Sequence, residues 1–321
     1  MYAPPFTLTQ KILNCCITIS ELLGYSNGII APEPQPRLRK ENRIKTIHST
    51  LAIEGNTLTL EQITALVEGK KIIGKKQEIL EVQNTIEVYN RLDEWNPTSV
   101  ASMLKAHKLL MTGLINKPGN WRNSDVGIIK GSQISHVAPP SSRVSILMQD
   151  IFEYLKKEKE THTFVKACVF HYELLFIHPF MDGNGRMARL WQQLILLNYH
   201  PVFRHVSIES LIKENQTEYY KTLEQSDRSG ESTVFIEFML HLVQLEIKAL
   251  VSHLKYKKNT YKERIIKAKE EYKDSSFSRK DYVKLFGDIS PATASRDLKK
   301  AVEEGYLAKE GDKATTCYKF L

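Results

Sequence analysis

The chain has 321 residues, 42% of them apolar, and a formal net charge of +8, enough for about two ordinary domains with their own cores. No run of about 18 uninterrupted apolar residues occurs, and no basic leader precedes a cleavable apolar stretch, which argues against a membrane span or a signal peptide. Cys15 and Cys16 are adjacent while Cys168 and Cys317 stand alone, a pattern that is no disulfide framework and suits a reducing cytoplasm.

The pattern is mainly α. From Ile44 to Asn56 the chain reads IKTIHSTLAIEGN, with Ile44, Ile47 and Leu51 on one helical face and Gly55 placed as a C-terminal cap. The helix ends in an acid, Glu54, on the unfavourable end of the helix dipole, where it gains little unless a cation meets it. A Thr59-to-Gln62 capping box opens the next apolar pattern, Leu60, Ile63, Leu66 and Val67. Ile79, Val82, Ile86 and Tyr89 mark a further helix, NPTS at Asn96 to Ser99 breaks the chain, and Val100 to Leu114 reads as helix again. PGNWR, Pro118 to Arg122, is turn chemistry. Short extended runs at Val126 to Ile129 and Ile134 to Ala138 around Gly131 predict a β-hairpin before Pro139 and Pro140.

Val165, Cys168, Val169, Tyr172, Leu175 and Phe176 recur at helical spacing, as do Met187, Leu190, Trp191, Leu194 and Leu197. Between these two buried helices lies HPFMDGNGRMAR, His178 to Arg189, with Gly183, Asn184 and Gly185 at the start of the second helix. Glycines at a helix N-terminus let phosphate oxygens reach unpaired backbone N–H groups at the positive end of the dipole. Arg186 and Arg189, three apart, project from one side and can hold further phosphate oxygens. Asp182 could hold Mg²⁺ against those phosphates, and His178 can accept a hydroxyl proton near neutral pH. No GKS or GKT follows the glycines, so this is not a Walker A loop. His171 and His178 lack the spacing of a zinc HExxH pair.

Farther on, Tyr219 and Tyr220 precede Leu223. From Val251 to Leu321 there are 17 lysines and arginines against 11 acids, so the tail carries most of the net charge. It reads helix, turn, helix and hairpin, with Gly287 near the first turn, Ser290 capping a helix that has Pro291 at its first position, and Glu310-Gly311-Asp312 at a hairpin tip. Leu298, Val302 and Leu307 face inward. This resembles a winged helix-turn-helix, in which Thr293, Ser295, Arg296, Lys299 and Lys300 would be available to DNA or the module would dock to protein.

The segment His178 to Arg189 resembles the signature of Fic-domain proteins, HxFx(D/E)GNGRxxR, at every defined position. The resemblance implies a helical Fic fold with a small β-hairpin flap, and transfer of AMP from ATP to a hydroxyl side chain of a target protein. Carried over residue by residue, His178 resembles the general base and Asp182 the Mg²⁺ ligand. Gly183, Asn184 and Gly185 resemble the anion hole, and Arg186 and Arg189 the phosphate-holding arginines. Thr50 to Gly55 resembles the family's inhibitory motif, (S/T)xxxE(G/N), in which Glu54 would pair with Arg189 and deny it to the γ-phosphate. The hairpin, with Ile134, Ser135, His136 and Val137, resembles the flap that pairs main chain to main chain with a target. Tyr219 and Tyr220 resemble the adenine pair, and Asp227 stands where many relatives have asparagine.

The expected layout is an N-terminal helical region over residues 1–95 with the inhibitory helix near 40–55, a Fic core over 96–250, and a linker helix with a winged helix-turn-helix over 251–321. Three readings follow. One is an autoinhibited protein adenylyltransferase using ATP and Mg²⁺. The second is a DNA-binding regulator whose Fic core senses nucleotide. The third is a Fic enzyme of another reaction, such as transfer from another nucleotide, phosphate transfer or removal of AMP. Homodimerisation, common in the family, is not readable from one chain.

Overall fold

The structure is a computed structural model describing residues 3–29, 36–130, 133–258, 261–273, 275–287, 289–312 and 316–321. Two compact units divide the chain, one of residues 1–24 and 33–248, the other of residues 25–32 and 249–321.

The larger unit is built from helices. They are α1 (Gln10–Ile29), α2 (Pro36–Ile53), α3 (Leu60–Val67), α4 (Lys76–Asn90), α5 (Val100–Met111), α6 (Val144–Lys157), α7 (Thr163–Ile177), α8 (Asn184–Tyr199), α9 (Ile208–Glu214), α10 (Gln216–Ser229) and α11 (Thr233–Lys258), with residues 25–29 of α1 and 249–258 of α11 assigned to the smaller unit. α7 and α8 form its centre: Phe164, Cys168, Phe170, Leu174, Met187, Leu190 and Trp191 are all buried, as expected of helices that are apolar around most of their circumference. Thr59 and Gln62 close the predicted capping box on α3.

α2 is longer than the sequence pattern suggests. It begins at Pro36, suited to a first helical position, and stops at Ile53. Gly55 is left-handed at φ 90°, and the Asn56 N–H reaches the Leu51 carbonyl at 3.1 Å, a Schellman-type ending. Glu54 therefore stands in the closing turn, just beyond the last helical residue. Ile44, Ile47 and Leu51 are buried as predicted. The outer side of α2 is clasped by the segment around α9. Asn42 donates to the His205 carbonyl, Ser49 and Ser210 hydroxyls lie 3.2 Å apart, and Gln216 donates to the Ile53 carbonyl at 3.1 Å.

The predicted hairpin is β1 (Gly127–Lys130) against β2 (Gln133–Val137), antiparallel. Its register slips between Ile128, opposite His136, and Ile129, opposite Ile134, so Ser135 is the extra residue of a bulge. The turn expected at Gly131 lies outside the described residues.

The smaller unit contains α12 (Tyr261–Tyr272), β3 (Phe277–Ser278), α13 (Arg279–Phe286), α14 (Pro291–Glu303), β4 (Leu307–Glu310) and β5 (Cys317–Phe320), with sheet order β3-β5-β4. Its core gathers Ile265, Phe277, Tyr282, Phe286, Leu298 and Leu307. Ser278 and Asp281 form a capping box on α13, Gly287 ends it, and Ser290 caps α14 with Pro291 at the first position. Arg264 Nε and Nη2 donate to the two oxygens of Asp297 at 2.6 and 3.0 Å, and the Tyr282 hydroxyl lies 3.3 Å from the same carboxylate.

Candidate active site

The loop from His178 to Gly183 turns the chain from α7 into α8, and His178 itself ends α7 in the left-handed region, at φ 50° and ψ 58°. A non-glycine residue there is strained and persists only where its surroundings over-determine it. Arg122 supplies the restraint. Its side chain is buried; Nε donates to the His178 carbonyl at 2.7 Å, Nη1 to Ser124 at 2.9 Å, and Nη2 to Ile177 at 3.3 Å and to Pro139. Its backbone N–H adds a bond to the Pro179 carbonyl at 2.8 Å. One guanidinium thus ties the loop to the base of the hairpin.

His107 of α5 holds the other half. Its ring stacks on buried Phe180 with centroids 3.6 Å apart and planes 10° from parallel. Nδ1 accepts the Gly119 N–H at 2.9 Å, so Nε2 carries the hydrogen and donates to the Asp182 carbonyl at 3.0 Å. Burial pushes this imidazole down to about 4, which keeps it neutral and preserves that tautomer. The Asn184 amide closes a reciprocal pair with the Phe180 peptide, 2.9 Å each way. Its side chain therefore shapes the turn and is not held out toward a ligand. Gly183 caps α8 at φ 86°, and a Cβ there would come within 2.9 Å of the Met111 sulfur. A Cβ on Gly185 would overlap the Glu54 carboxylate.

The two arginines of α8 face different conditions. Arg186 Nη2 lies 3.3 Å from both Asp182 oxygens and Nη1 lies 3.8 Å from Glu81. Its side chain is only 5% exposed, and Nε and Nη1 have no hydrogen-bond partner among the described residues. Buried donors left this way are costly, about 1–3 kcal/mol or more when charged, and an incoming anion would satisfy them. Arg189 is already engaged: Nε donates to Thr50 Oγ1 at 2.8 Å, and Nη2 to the Thr50 carbonyl at 3.1 Å and to Glu54 Oε1 at 2.5 Å. Burial works to raise the Glu54 carboxyl, but the charge and hydrogen bond of Arg189, with Arg186 and His178, hold it below the usual range. The same pairing keeps Arg189 firmly charged despite full burial.

The expected adenine pair divides. Tyr219 is buried, its hydroxyl 2.9 Å from His171 Nε2. The short contact of His171 Nδ1 with Gln192 Oε1 places the ring hydrogen there, so Tyr219 donates inward. Only Tyr220 presents a partly exposed ring, packed edge-on to Tyr219. Asp227 accepts the Tyr172 hydroxyl at 2.9 Å. In the hairpin, Val137 is exposed. In the smaller unit, Lys299 and Lys300 pair with Glu303 and Glu304 at 3.8 and 3.7 Å, and the Lys300 ammonium lies over the Tyr261 ring. Ser295 accepts from Arg279 at 3.2 Å, Thr293 shares the α14 cap with Ser290, and Arg296 is exposed.

Sequence reasoning missed Arg122 and His107, which read only as parts of a turn and a helix. Neither has a local signal, because their partners lie 56 and 75 residues away.

The sequence profile of the Fic/DOC family matches residues 97–196. A crystallised Fic family protein from Desulfovibrio desulfuricans G20 is 37% identical, with a TM-score of 0.76, and the match covers 100% of this chain and 98% of that one. Fic-1 of C. elegans, residues 134–508, shares the fold at a TM-score of 0.63 and 22% identity, over 77% of this chain and 74% of that one. Among curated relatives, the Drosophila ananassae protein named protein adenylyltransferase Fic is 29% identical over 63% of this chain and 40% of its own length. The Nematostella vectensis protein of the same name is 27% identical over 68% of this chain and 51% of its own. The match thus spans about half or less of these curated relatives. With 37% identity to a solved Fic protein along almost its whole length, and the family profile lying across the loop that carries His178, the chain belongs to the Fic/DOC family.

Proposed function

We propose that this chain is a protein adenylyltransferase that moves AMP from ATP to a hydroxyl side chain of a target protein and is held in check by Glu54. The observation that carries the reading is the pair of arginines one turn apart on α8. Arg186 keeps buried donors unmet, while Arg189 is occupied by Thr50 and Glu54.

In this reading the N-terminus of α8 and Arg186 bind and orient the phosphates, and His178 takes the proton of the attacking hydroxyl. The hydroxyl oxygen bonds to the α-phosphorus as the bond to the bridging oxygen breaks, and pyrophosphate leaves with that electron pair. Positioning and charge neutralisation do most of the work. Asp182 fits a Mg²⁺ ligand: its side chain is 56% exposed, and hard-cation sites of this kind need only one or two carboxylates beside substrate phosphates and water. Bound there, Mg²⁺ would supply neutralisation of phosphate charge. The exposed ring of Tyr220 suits an adenine face better than Tyr219 does, and the main chain of β2 offers edge pairing to a target segment.

Glu54 would inhibit by competition, since an arginine held by a carboxylate and a threonine is not available to the γ-phosphate. This gives α2 the role of an inhibitory helix. The smaller unit, with α13 and α14 followed by the β4–β5 hairpin, has the element order of a winged helix. Its exposed Arg296 supports nucleic-acid contact, but the internal pairing of Lys299 and Lys300 weakens that support, and protein docking is the second reading of this unit.

The test uses ATP labelled at the α-phosphate. The Glu54→Gly variant labels itself or a lysate protein at least about tenfold more than the parent, a change of about 1.4 kcal/mol, and adding His178→Ala abolishes it. Label transferred from γ-labelled but not α-labelled ATP would make the enzyme a kinase and end the adenylylation reading.

A further inference from the structure

A polar cavity of about 40 Å³ lies against the N-terminal half of α2, lined by Arg39, Arg43, Asp93, Arg204, Tyr89 and Gln193 among others. One water needs about 10–15 Å³ by such a measure, so the space suits two or three waters or one tetrahedral oxyanion. Tyr89 and Gln193 are 4% and 7% exposed, and the Tyr89 hydroxyl and Gln193 Oε1 have no hydrogen-bond partner among the described residues. Among the described residues the three arginines meet one acid: Arg204 holds Asp93 through Nη1 at 3.0 Å and through Nη2, while Arg39 stands 4.0 Å from it. Among the described residues, Arg43 Nη1 bonds the neutral Asn90 side-chain carbonyl oxygen, at 2.8 Å, and no acid.

We propose that this cavity binds a phosphate group, with Arg39, Arg43 and Arg204 around it and Tyr89 and Gln193 at its buried end. Two guanidinium charges are left over after Asp93 is paired, and forked donors of this kind suit phosphate. The Tyr89 hydroxyl donates to a phosphate oxygen. Gln193 Oε1 accepts from a phosphate hydroxyl, which a singly or doubly charged phosphate still carries near neutral pH and sulfate does not. A buried acid, Glu209, sits behind Thr46 at 3.4 Å, and burial pushes its carboxyl up to about 7. Burial and Arg39 also work against the charge on Arg43, a strain that an anion relieves.

Arg39 and Arg43 lie in the first half of α2, and Glu54 follows its last residue. An anion bridging them to Tyr89 of α4 and Gln193 of α8 would pin α2 to the core and keep Glu54 on Arg189. This consequence rests on the inhibitory reading of Glu54, while the binding itself does not.

The experiment titrates inorganic phosphate calorimetrically into the full chain bearing Arg186→Gln, which removes the open guanidinium donors of the loop anion site, at constant ionic strength and pH 7. Saturable binding is expected, with sulfate at least about fivefold weaker. Tyr89→Phe and Arg43→Gln should each weaken phosphate about tenfold. The exposed Arg39→Gln gives a further variant should either of these fail to fold. ATP and pyrophosphate, titrated alongside, identify the source: a free phosphate site binds inorganic phosphate at least as tightly as either. No binding, binding unchanged by the variants, or sulfate equal to phosphate overturns the proposal, the first meaning that only water fills the cavity. In a separate arm with Arg186 intact, phosphate should lower residual self-labelling in the parent more than in Arg43→Gln. Equal lowering overturns the tie to α2, whereas absence of labelling under every condition falls on the adenylylation reading alone.

Discussion

Two arginine–carboxylate pairs, Arg264–Asp297 in the smaller unit and Arg189–Glu54 in the larger, differ in how completely each carboxylate is held. Arg264 and Asp297 meet through two nitrogens and two oxygens, with Tyr282 as a third partner, and both side chains are nearly out of solvent at 12% and 7% exposure. Arg189 and Glu54 meet through one nitrogen and one oxygen, and the glutamate side chain is 32% exposed. The first pair fastens α12 to α14. The second joins residues 135 apart through a partly exposed carboxylate. A pair saturated on all sides has the character of a structural tie, whereas a partly exposed acid on an arginine that the proposed function gives to phosphate fits the proposed release.

Breaking the saturated pair should have the largest effect. Asp297→Ala leaves Arg264 buried and uncompensated and should destabilise the smaller unit by about 3–5 kcal/mol, read by denaturant unfolding. A loss below 1 kcal/mol would show that the arginine escapes to solvent and that the two pairs are not different in kind.

A further buried carboxylate sharpens the comparison because it forms no salt bridge among the described residues. Glu209 is raised to about 7 by burial. A raised carboxyl carries no folding penalty below its unfolded value of about 4.5, gains one as pH rises toward 7, and keeps it above. Glu209→Gln should therefore raise stability by about 3 kcal/mol at pH 8 and by almost nothing at pH 4.5. Melting at the two pH values measures it, and an equal gain at both would refute the assignment to ionisation.

Smaller changes probe the releasable pair. Thr50→Val removes the hydroxyl that accepts from Arg189 Nε and should raise α-phosphate labelling about tenfold, about 1.5 kcal/mol for one hydrogen bond to a charged group. Unchanged labelling would mean that Glu54 alone holds the arginine. Because the Glu54 carboxyl lies below its usual range, its pairing is complete above about 4.5 and fades only as pH falls through that lowered value. Corrected for the pH profile of Glu54→Gly, the parent should show no release of labelling between pH 8 and pH 5.5. A rise within that window would place the carboxyl's titration higher than the pairing allows.

Much of the local structure was legible in the residues. The capping box at Thr59, the cap at Ser290 before Pro291, the glycine ending at Gly55 and the hairpin before Pro139 each depend on neighbours within a few positions. So does the motif from His178 to Arg189, because a turn into a helix N-terminus is a local event. The sequence reading fell short where the partner is distant. The hold of the α9 region on Asn42 and Ser49 of α2 comes from residues more than 160 positions away, and the inward hydroxyl of Tyr219 follows from His171 on another helix.

The sequence by itself therefore determined the chemical inventory of the loop and the helices that bracket it, through periodicity, caps and the freedom of Gly183. Only the tertiary structure decided which groups hold that inventory still and which compete for it. Arg122 reaches across to His178, His107 selects one tautomer against Asp182, and Glu54 meets Arg189 while Arg186 keeps open donors. The physical reason is that hydrogen bonds and charges in a buried site act over a few ångströms, whereas the residues that make them are scattered along the chain.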